Sequence, residues 1–325
     1  MRDADVAIVG DGIAGLTCAL ACARRGLQVV LVGARSTAAA SHASAGLLAP
    51  SIAPRPADDP AQRFLVAARD GYPAWLDVLA EESGVEVTLR LGLLEADSGR
   101  FHERDGAVDV PALLEALEVA ISRRRITRLA TGARAVEREG DALVVETPAR
   151  RITARRLVVA GGAWAGALNG LRPALPVRPV AGVTALVRGE PDLPHVLYGA
   201  GGYLVPRGDA LLVGATARDV GFDARITDGD RTSLGAIARK LHGIDAGLLE
   251  GHALGFRPMT PDGLPLLGVD AHDPRIVYAT GYSRNGILVA PLAAACVAAL
   301  VGGGEPPAPI APFAVDRFAS SEAGR

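Results

Sequence analysis

The stretch VAIVGDGIAGLTCALACARRGLQVVLVG, Val6–Gly33, sets a strand, a glycine-rich turn, a helix and a second strand in one short span. Asp5–Gly10 reads as a buried parallel strand, since its apolar residues run on without alternation. Ile13–Arg25 reads as a helix of small and apolar residues, closed by Gly26 at a C′ position. Gly10, Gly12 and Gly15 stand between strand and helix with the spacing G-x-G-x-x-G. One glycine permits the tight turn, one lets a pyrophosphate approach the backbone, and one lets helix and strand pack closely. The anion then meets the free N–H groups of the helix N-terminus. In this β-turn-α-β order the turn points to dinucleotide binding. Asp11 does not help, because a carboxylate beside a pyrophosphate costs energy unless it points away.

The turn leaves the ligand open. The second strand should end in an acid that holds the adenosine ribose, and that position is Gly33, followed by Ala34 and Arg35. Loss of the acid beside an arginine is how NADP sites accommodate a 2′-phosphate. FAD with its adenosine held by other contacts is the second reading.

Composition narrows the class. The chain has 325 residues, enough for one large or two ordinary domains, and 49% of them are apolar. Charged residues at 22% and a net charge of -2 argue against disorder and give no support to a nucleic-acid partner. Lys240 is the single lysine, so a lysine Schiff base or general base could only be that residue. Cys18, Cys22 and Cys296 form no metal spacing and no disulfide framework, which suits buried thiols in a reducing compartment. The N-terminus enters a strand directly, and the longest apolar run, GILVAPLAAACVAALV, contains Pro291 and is short for a bilayer. A soluble, cytoplasmic protein without metal or membrane partner is the expectation.

Further along, residues 61–83 are helical in pattern, with Phe64, Leu65, Ala68, Tyr72, Leu76 and Leu79 on one face. VEVTLRLGLLEA alternates like a strand pair. Val110–Arg123 is an amphipathic helix with Asp109 as N-cap, and three short strands follow up to the glycine turn of RLVVAGGAWAG. Residues 176–216 read as antiparallel strands with hairpin turns, Arg231–Leu241 as a helix, and the chain returns to strand, turn and apolar helix before a polar tail after Phe318. The expected fold is α/β: a discontinuous Rossmann-like nucleotide-binding domain (1–84, 106–170 and 255–325) interleaved with an antiparallel β-rich substrate domain (85–105 and 171–254).

Three more stretches choose between the ligands. SHASAGLLAP (Ser41–Pro50), GFRPMTPDGLPLLG (Gly255–Gly268) and ATGYSRNGILVAP (Ala279–Pro291), in this order behind the glycine turn, resemble the flavin amine oxidases of the D-amino-acid oxidase (DAO) family, with glycine oxidases as the nearest group. The resemblance covers essentially the whole chain. Small residues such as Ala45 and Gly46 suit a flat isoalloxazine ring lying against backbone, and the N–H groups after SRNGIL suit the charge that gathers at its N1–C2 edge on reduction.

The resemblance implies FAD as cofactor. At the adenosine and phosphate end it places Gly10, Gly12, Ile13, Ala14, Gly15, Gly33, Ala34, Arg35 and Val136 against it. Along the loop and the flavin it places Ala40, Ser41, Ala45, Gly46, Leu47, Gly161, Gly162, Tyr282, Ser283, Arg284, Asn285, Gly286, Ile287 and Leu288. It also implies that Arg257 binds the substrate carboxylate through its planar donor fork, that Arg284 lies near flavin and substrate, and that Tyr203 lines the substrate pocket. The implied reaction is oxidation of glycine, a small D-amino acid or an N-substituted amino acid, by hydride transfer to flavin N5. Oxygen is the second substrate, and oxo acid, ammonia or amine, and hydrogen peroxide are the products. Orientation suffices, so no side-chain acid or base is required; His42 is read as structural. Relatives of this kind are often homo-oligomers.

Four features depart from the pattern. Gly33 replaces the usual glutamate, so restoring Glu there is expected to tighten FAD. Ala217 and Gly201 replace larger residues, which implies a roomier substrate site, and the segment Leu93–Val110 is short. FRPMTPDG (Phe256–Gly263) carries no cysteine, so FAD is expected to be non-covalent. Two rivals share these motifs: a dehydrogenase that passes electrons to a carrier, and a non-catalytic flavin-binding scaffold.

Overall fold

A computed structural model describes residues 2–189 and 193–321. Residues 322–325 of the expected polar tail lie outside the described residues. The chain runs β1 (Ala4–Val9), α1 (Ile13–Arg24), β2 (Val29–Gly33), β3 (Leu47–Leu48), α2 (Pro60–Asp70), α3 (Tyr72–Ser83), β4 (Leu89–Glu95), β5 (Phe101–Val108) and α4 (Val110–Arg123). It continues with β6 (Thr127–Ala130), β7 (Ala135–Glu139), β8 (Ala142–Glu146), β9 (Arg151–Val159), β10 (Arg178–Arg188), β11 (Val196–Gly199), β12 (Gly202–Arg207) and β13 (Ala210–Gly214). Then follow α5 (Asp228–His242), β14 (Glu250–Met259), β15 (Leu266–Val269), β16 (Ile276–Thr280) and α6 (Gly286–Val301).

The strands form two sheets. The first has the order β15-β16-β9-β1-β2-β6, with the β7–β8 hairpin joined to β9. β1 pairs in parallel with both β2 and β9. Its residues face two cores in alternation: Val6 and Ile8 pack under the helices, Ala7 and Val9 on the opposite side. Both faces are covered, so the strand is apolar throughout. α6 packs beside α1 and is buried on almost every side, as an unbroken apolar helix must be. No helix among the described residues is long and apolar enough to cross a membrane.

The second sheet has the order β14-β10-β13-β12-β11-β4-β5-β3. It is antiparallel except where β11 meets β4. In β10, Ala181, Val183, Ala185 and Val187 recur at period two and pack with Leu234, Ile237 and Ala238 of α5. A reciprocal capping box starts α5: Thr227 Oγ1 accepts from Asp230 N, and the Asp230 carboxylate accepts from Thr227 N. β3 and β14 belong to this sheet, while the chain from Leu266 returns to the first.

Two local expectations change. The helix over 61–83 is broken into α2 and α3, because Gly71 sits between them and Pro73 cannot donate into the preceding turn. VEVTLRLGLLEA supplies one strand, β4, whose hairpin partner β5 comes from residues 101–108. α4 stands as its pattern predicts, with Asp109 Oδ1 accepting from Ala112 N at 3.2 Å.

Candidate active site

The carboxyl ends of β1, β2 and β9 open into a cavity of about 440 Å³ that extends to the second sheet. A crevice outside the strand ends is where open α/β sheets place their ligands. Gly10 stands at φ +115°, and a Cβ there would overlap the Ala160 carbonyl at the end of β9. A Cβ at Gly15 would overlap the Gly10 carbonyl, so the third glycine lets α1 seat on the turn. Gly12 cannot cap α1 with a side chain. Ser41, from the loop after β2, does so instead: its Oγ accepts from Ile13 N at 2.9 Å.

A second helix points into the cavity. No side chain caps α6, and the N–H groups of Gly286, Ile287 and Leu288 have no acceptor among the described residues. Gly286 and Ile287 line the cavity. The turn before α6 is conformationally demanding: Gly281 lies at φ +66° and Ser283 at φ +52°, held by Ser283 N donating to the Pro258 carbonyl at 3.0 Å.

At the second sheet the cavity meets Tyr203 on β12 and Arg257 on β14. Two strand glycines make room for them. A Cβ at Gly182 of β10 would overlap the Arg257 guanidinium, and one at Gly214 of β13 would overlap the Tyr203 ring. Arg257 Nη1 donates to the Thr216 carbonyl at 2.8 Å, and no carboxylate pairs with Arg257 among the described residues. Burial pulls its pKa down; the neighbouring Tyr203 opposes this, and Arg284 adds to it. Burial pushes the Tyr203 phenol up, while Arg257 and Arg284 pull the other way. A mostly buried cation with no carboxylate partner among the described residues pays a desolvation cost that an anion in the cavity would offset. Among the described residues, the remaining ionisable lining residues are Asp11 and Tyr282, and no histidine, lysine, cysteine or glutamate lines the cavity.

The family description "FAD dependent oxidoreductase" (DAO) matches residues 5–99 and 91–300. The chain belongs to this family. A glycine oxidase of Pseudomonas aeruginosa is 32% identical over 360 residues, covering 94% of this chain and 98% of that protein. The bifunctional protein ThiO/ThiG of Trichormus variabilis is 31% identical over 344 residues, covering 90% of this chain and 52% of that protein. The chain thus spans about half the length of the first curated relatives it matches. The crystal structure of glycine oxidase from Geobacillus kaustophilus superposes with a TM-score of 0.88 at 27% identity, covering 98% of this chain and 99% of that one.

FAD is the cofactor of this family, and the residues present fit it. Beyond the Ile13 N–H that Ser41 accepts, the N-termini of α1 and α6 carry N–H groups with no acceptor among the described residues, which would suit a pyrophosphate and an electron-rich ring edge.

Most of the expected cofactor positions line this cavity: Gly10, Gly12, Ile13, Ala14, Gly33, Ala34, Ala40, Ser41, Ala45, Leu47, Gly161, Gly162, Tyr282, Ser283, Gly286 and Ile287. Others do not reach it. Gly15 and Gly46 serve close packing; a Cβ at Gly46 would overlap the Val108 carbonyl. Arg35 is exposed and leaves the lining, which removes the observation behind an NADP reading. Val136 is buried in β7 and spends its N–H on the Asn169 carbonyl; Gly132 and Ala133, four and three residues earlier, line the cavity instead. Tyr282 turns its hydroxyl into the apolar core, where it finds no partner. Arg284, Asn285 and Leu288 stand beside the lining, and His42 is exposed outside it.

Gly201 and Ala217 line a separate surface groove against α5, so the volume they remove does not enlarge this cavity. Gly201 has φ +80° and, with Ala200 at φ +50°, makes the two-residue turn between β11 and β12. That turn sets Tyr198 directly opposite Tyr203. Tyr198 OH accepts from Arg284 Nη2 at 3.2 Å, a rim contact that sequence reasoning missed. Its signal was present in YGAGGY, where two left-handed turn residues fix which tyrosines face each other.

Gly33 needs the largest correction. A Cβ at this position would land on the carboxyl carbon of Asp11. Asp11 Oδ2 accepts from Arg35 N at 3.1 Å and from Arg128 Nη2 at 3.2 Å, and Arg128 also pairs with Glu118. The end of β2 has no room for the glutamate that was expected to tighten FAD.

Proposed function

We propose that the protein oxidises glycine, a small D-amino acid or an N-substituted amino acid, with FAD held non-covalently. The observation that carries this reading is Arg257: a mostly buried guanidinium without a carboxylate partner, lining the cavity of an FAD family member. FAD, when bound, supplies the acceptor for the α-hydrogen and its electron pair. The chain's own residues bind and orient. Arg257 takes the substrate carboxylate, held in place by the Thr216 carbonyl and by the gap at Gly182. Tyr203 offers its hydroxyl beside the same anion, and Arg284 adds positive charge at the rim through Tyr198. The substrate amine enters neutral and its α-hydrogen leaves as hydride, a step that needs orientation and not a side-chain base. The resulting imine hydrolyses to oxo acid and ammonia or amine. Oxygen takes up the electron pair as hydrogen peroxide, so amino acid, oxygen and water give oxo acid, ammonia and peroxide. The absence of cysteine and histidine from the lining supports a non-covalent cofactor.

The test is a peroxide-coupled screen of glycine, small D-amino acids and N-methyl amino acids on FAD-loaded protein, with anaerobic bleaching of the flavin band read alongside. Bleaching by carboxylate-bearing amines and not by their methyl esters supports the reading. A flavin that none of these amines bleaches overturns it. Bleaching without oxygen uptake would make the protein a dehydrogenase.

A further inference from the structure

The loop acid Asp11 and the strand-end residue Gly33 occupy one volume. In a G-x-G-x-x-G unit the acid that grips the adenosine ribose stands at the end of the second strand. Here that end is a glycine, and the carboxyl carbon of Asp11 lies 2.1 Å from where a Cβ of residue 33 would be, too close for both to be present. Asp11 lines the cavity beside Gly33 and Ala34. Its position in the turn would set a negative charge against the pyrophosphate, yet the carboxylate is turned aside. Arg128 Nη2 and Arg35 N both hold Oδ2, and Glu118 fixes the other side of Arg128. Oδ1 accepts no hydrogen bond among the described residues, although the side chain is only 12% exposed. A carboxylate so placed has one oxygen anchored and one left for a donor.

We propose that Asp11 replaces the missing strand-end acid and accepts a hydrogen bond from a ribose hydroxyl of FAD, the acid having moved from the strand end to the turn. Arg128 positions it, drawing the charge away from the pyrophosphate and toward β6. Gly33 is then the required complement of Asp11, because any side chain there displaces the carboxylate. The inference rests on FAD as cofactor and not on the identity of the substrate.

The test compares the affinity of stripped protein for FAD with its affinity for the two analogues whose adenosine ribose lacks the 2′- or the 3′-hydroxyl, in the wild type and in Asp11→Asn. In the wild type at least one analogue should bind about tenfold or more weakly, as expected for loss of a charge-assisted hydrogen bond. In Asp11→Asn, FAD should weaken to a similar degree and the penalty for that analogue should shrink to about threefold or less. If Asp11 only holds the Arg35 backbone, FAD and both analogues will lose affinity equally, and the proposal falls. Gly33→Glu should weaken FAD, and Asp11→Gly with Gly33→Glu should bind it more tightly than Asp11→Gly alone. If the double variant does not fold, the analogue comparison still decides. A wild type that binds neither FAD nor the analogues would overturn the cofactor assignment itself.

Discussion

Replacing Arg257 by Met removes the cation and keeps most of the side chain's bulk. Arg257 is largely buried, has no carboxylate of its own, and already spends one N–H on the Thr216 carbonyl. Its fork also reaches the Tyr203 hydroxyl, and the residue lines the cavity where a substrate carboxylate would bind. Truncating one partner of a buried, hydrogen-bonded charge pair costs about 2–5 kcal/mol. At about 1.36 kcal/mol per decade this is a fall in kcat/KM between roughly 30-fold and several thousand-fold. The Thr216 carbonyl loses its donor, at about 1 kcal/mol, but an unpaired buried charge is relieved. The melting temperature should therefore move by no more than about 3 °C. Arg257→Lys keeps a charge without the fork and should fall in between. Steady-state kinetics with an amino acid substrate, together with titration of a simple carboxylate inhibitor, measures both effects. An Arg257→Met variant whose inhibitor affinity stays within about threefold of wild type would refute the assignment.

The other predictions concern the support of the site and the pH range of the fold. Gly182→Ala should push the Arg257 guanidinium out of place and raise KM for carboxylate substrates by about tenfold, with FAD content unchanged; an unchanged KM would show that the gap is not needed. The chain has two tryptophans, and of them only Trp164, stacked on Phe222, lines the cavity. FAD binding should quench its fluorescence, and Trp164→Phe should abolish most of the quench. Burial raises Cys22 from a value near 9 to about 12 and Cys296 to about 11. A raised folded pKa contributes stability that is present below pH 9 and is lost as pH rises toward 11–12. The alkaline fall of the melting temperature should flatten in Cys22→Ala, and a thiol reagent at pH 8 should label neither residue before unfolding. The Arg275 guanidinium beside the buried Asp273 holds its carboxyl at about 2, well below its ordinary value. This contribution is present above pH 4 and lost as pH falls toward 2, so Asp273→Asn should lower stability at neutral pH and weaken its dependence on acid, read by chemical denaturation at several pH values.

Much of the site was legible because its signals are local. The turn glycines and the N-terminus of α6 each lie within one short segment, so periodicity and residue type reveal them, while the arginine of GFRPMT was singled out by the resemblance to the DAO family. The errors arose where placement depends on a distant partner. Val136 and Gly132 differ by only a few residues in sequence, yet pairing of β7 with β8 and the Asn169 carbonyl decided which of them could reach the cavity. Gly201 and Ala217 read as missing bulk in the substrate site, but the packing of α5 places them along a different groove. Tyr282 lines the cavity as its motif predicts, and only packing shows that its hydroxyl turns toward Cys18 and Cys296 in the core.

The sequence by itself determined the parallel β1–β2 unit with its phosphate turn, the apolar α6 with its free N-terminus, and the kind of group, an arginine, that could receive a carboxylate. The first two follow from residue type and short-range spacing, and the third from the resemblance that its segment carries. Only the tertiary structure decided that Gly182 and Gly214 clear the space for Arg257 and Tyr203, and that Tyr198 faces Tyr203 across a two-residue turn. It also decided that the volume of a missing acid at Gly33 is filled by Asp11 from across the turn. Overlap of side chains from separate strands is a property of packing, and no spacing along the chain encodes which atoms will claim the same place.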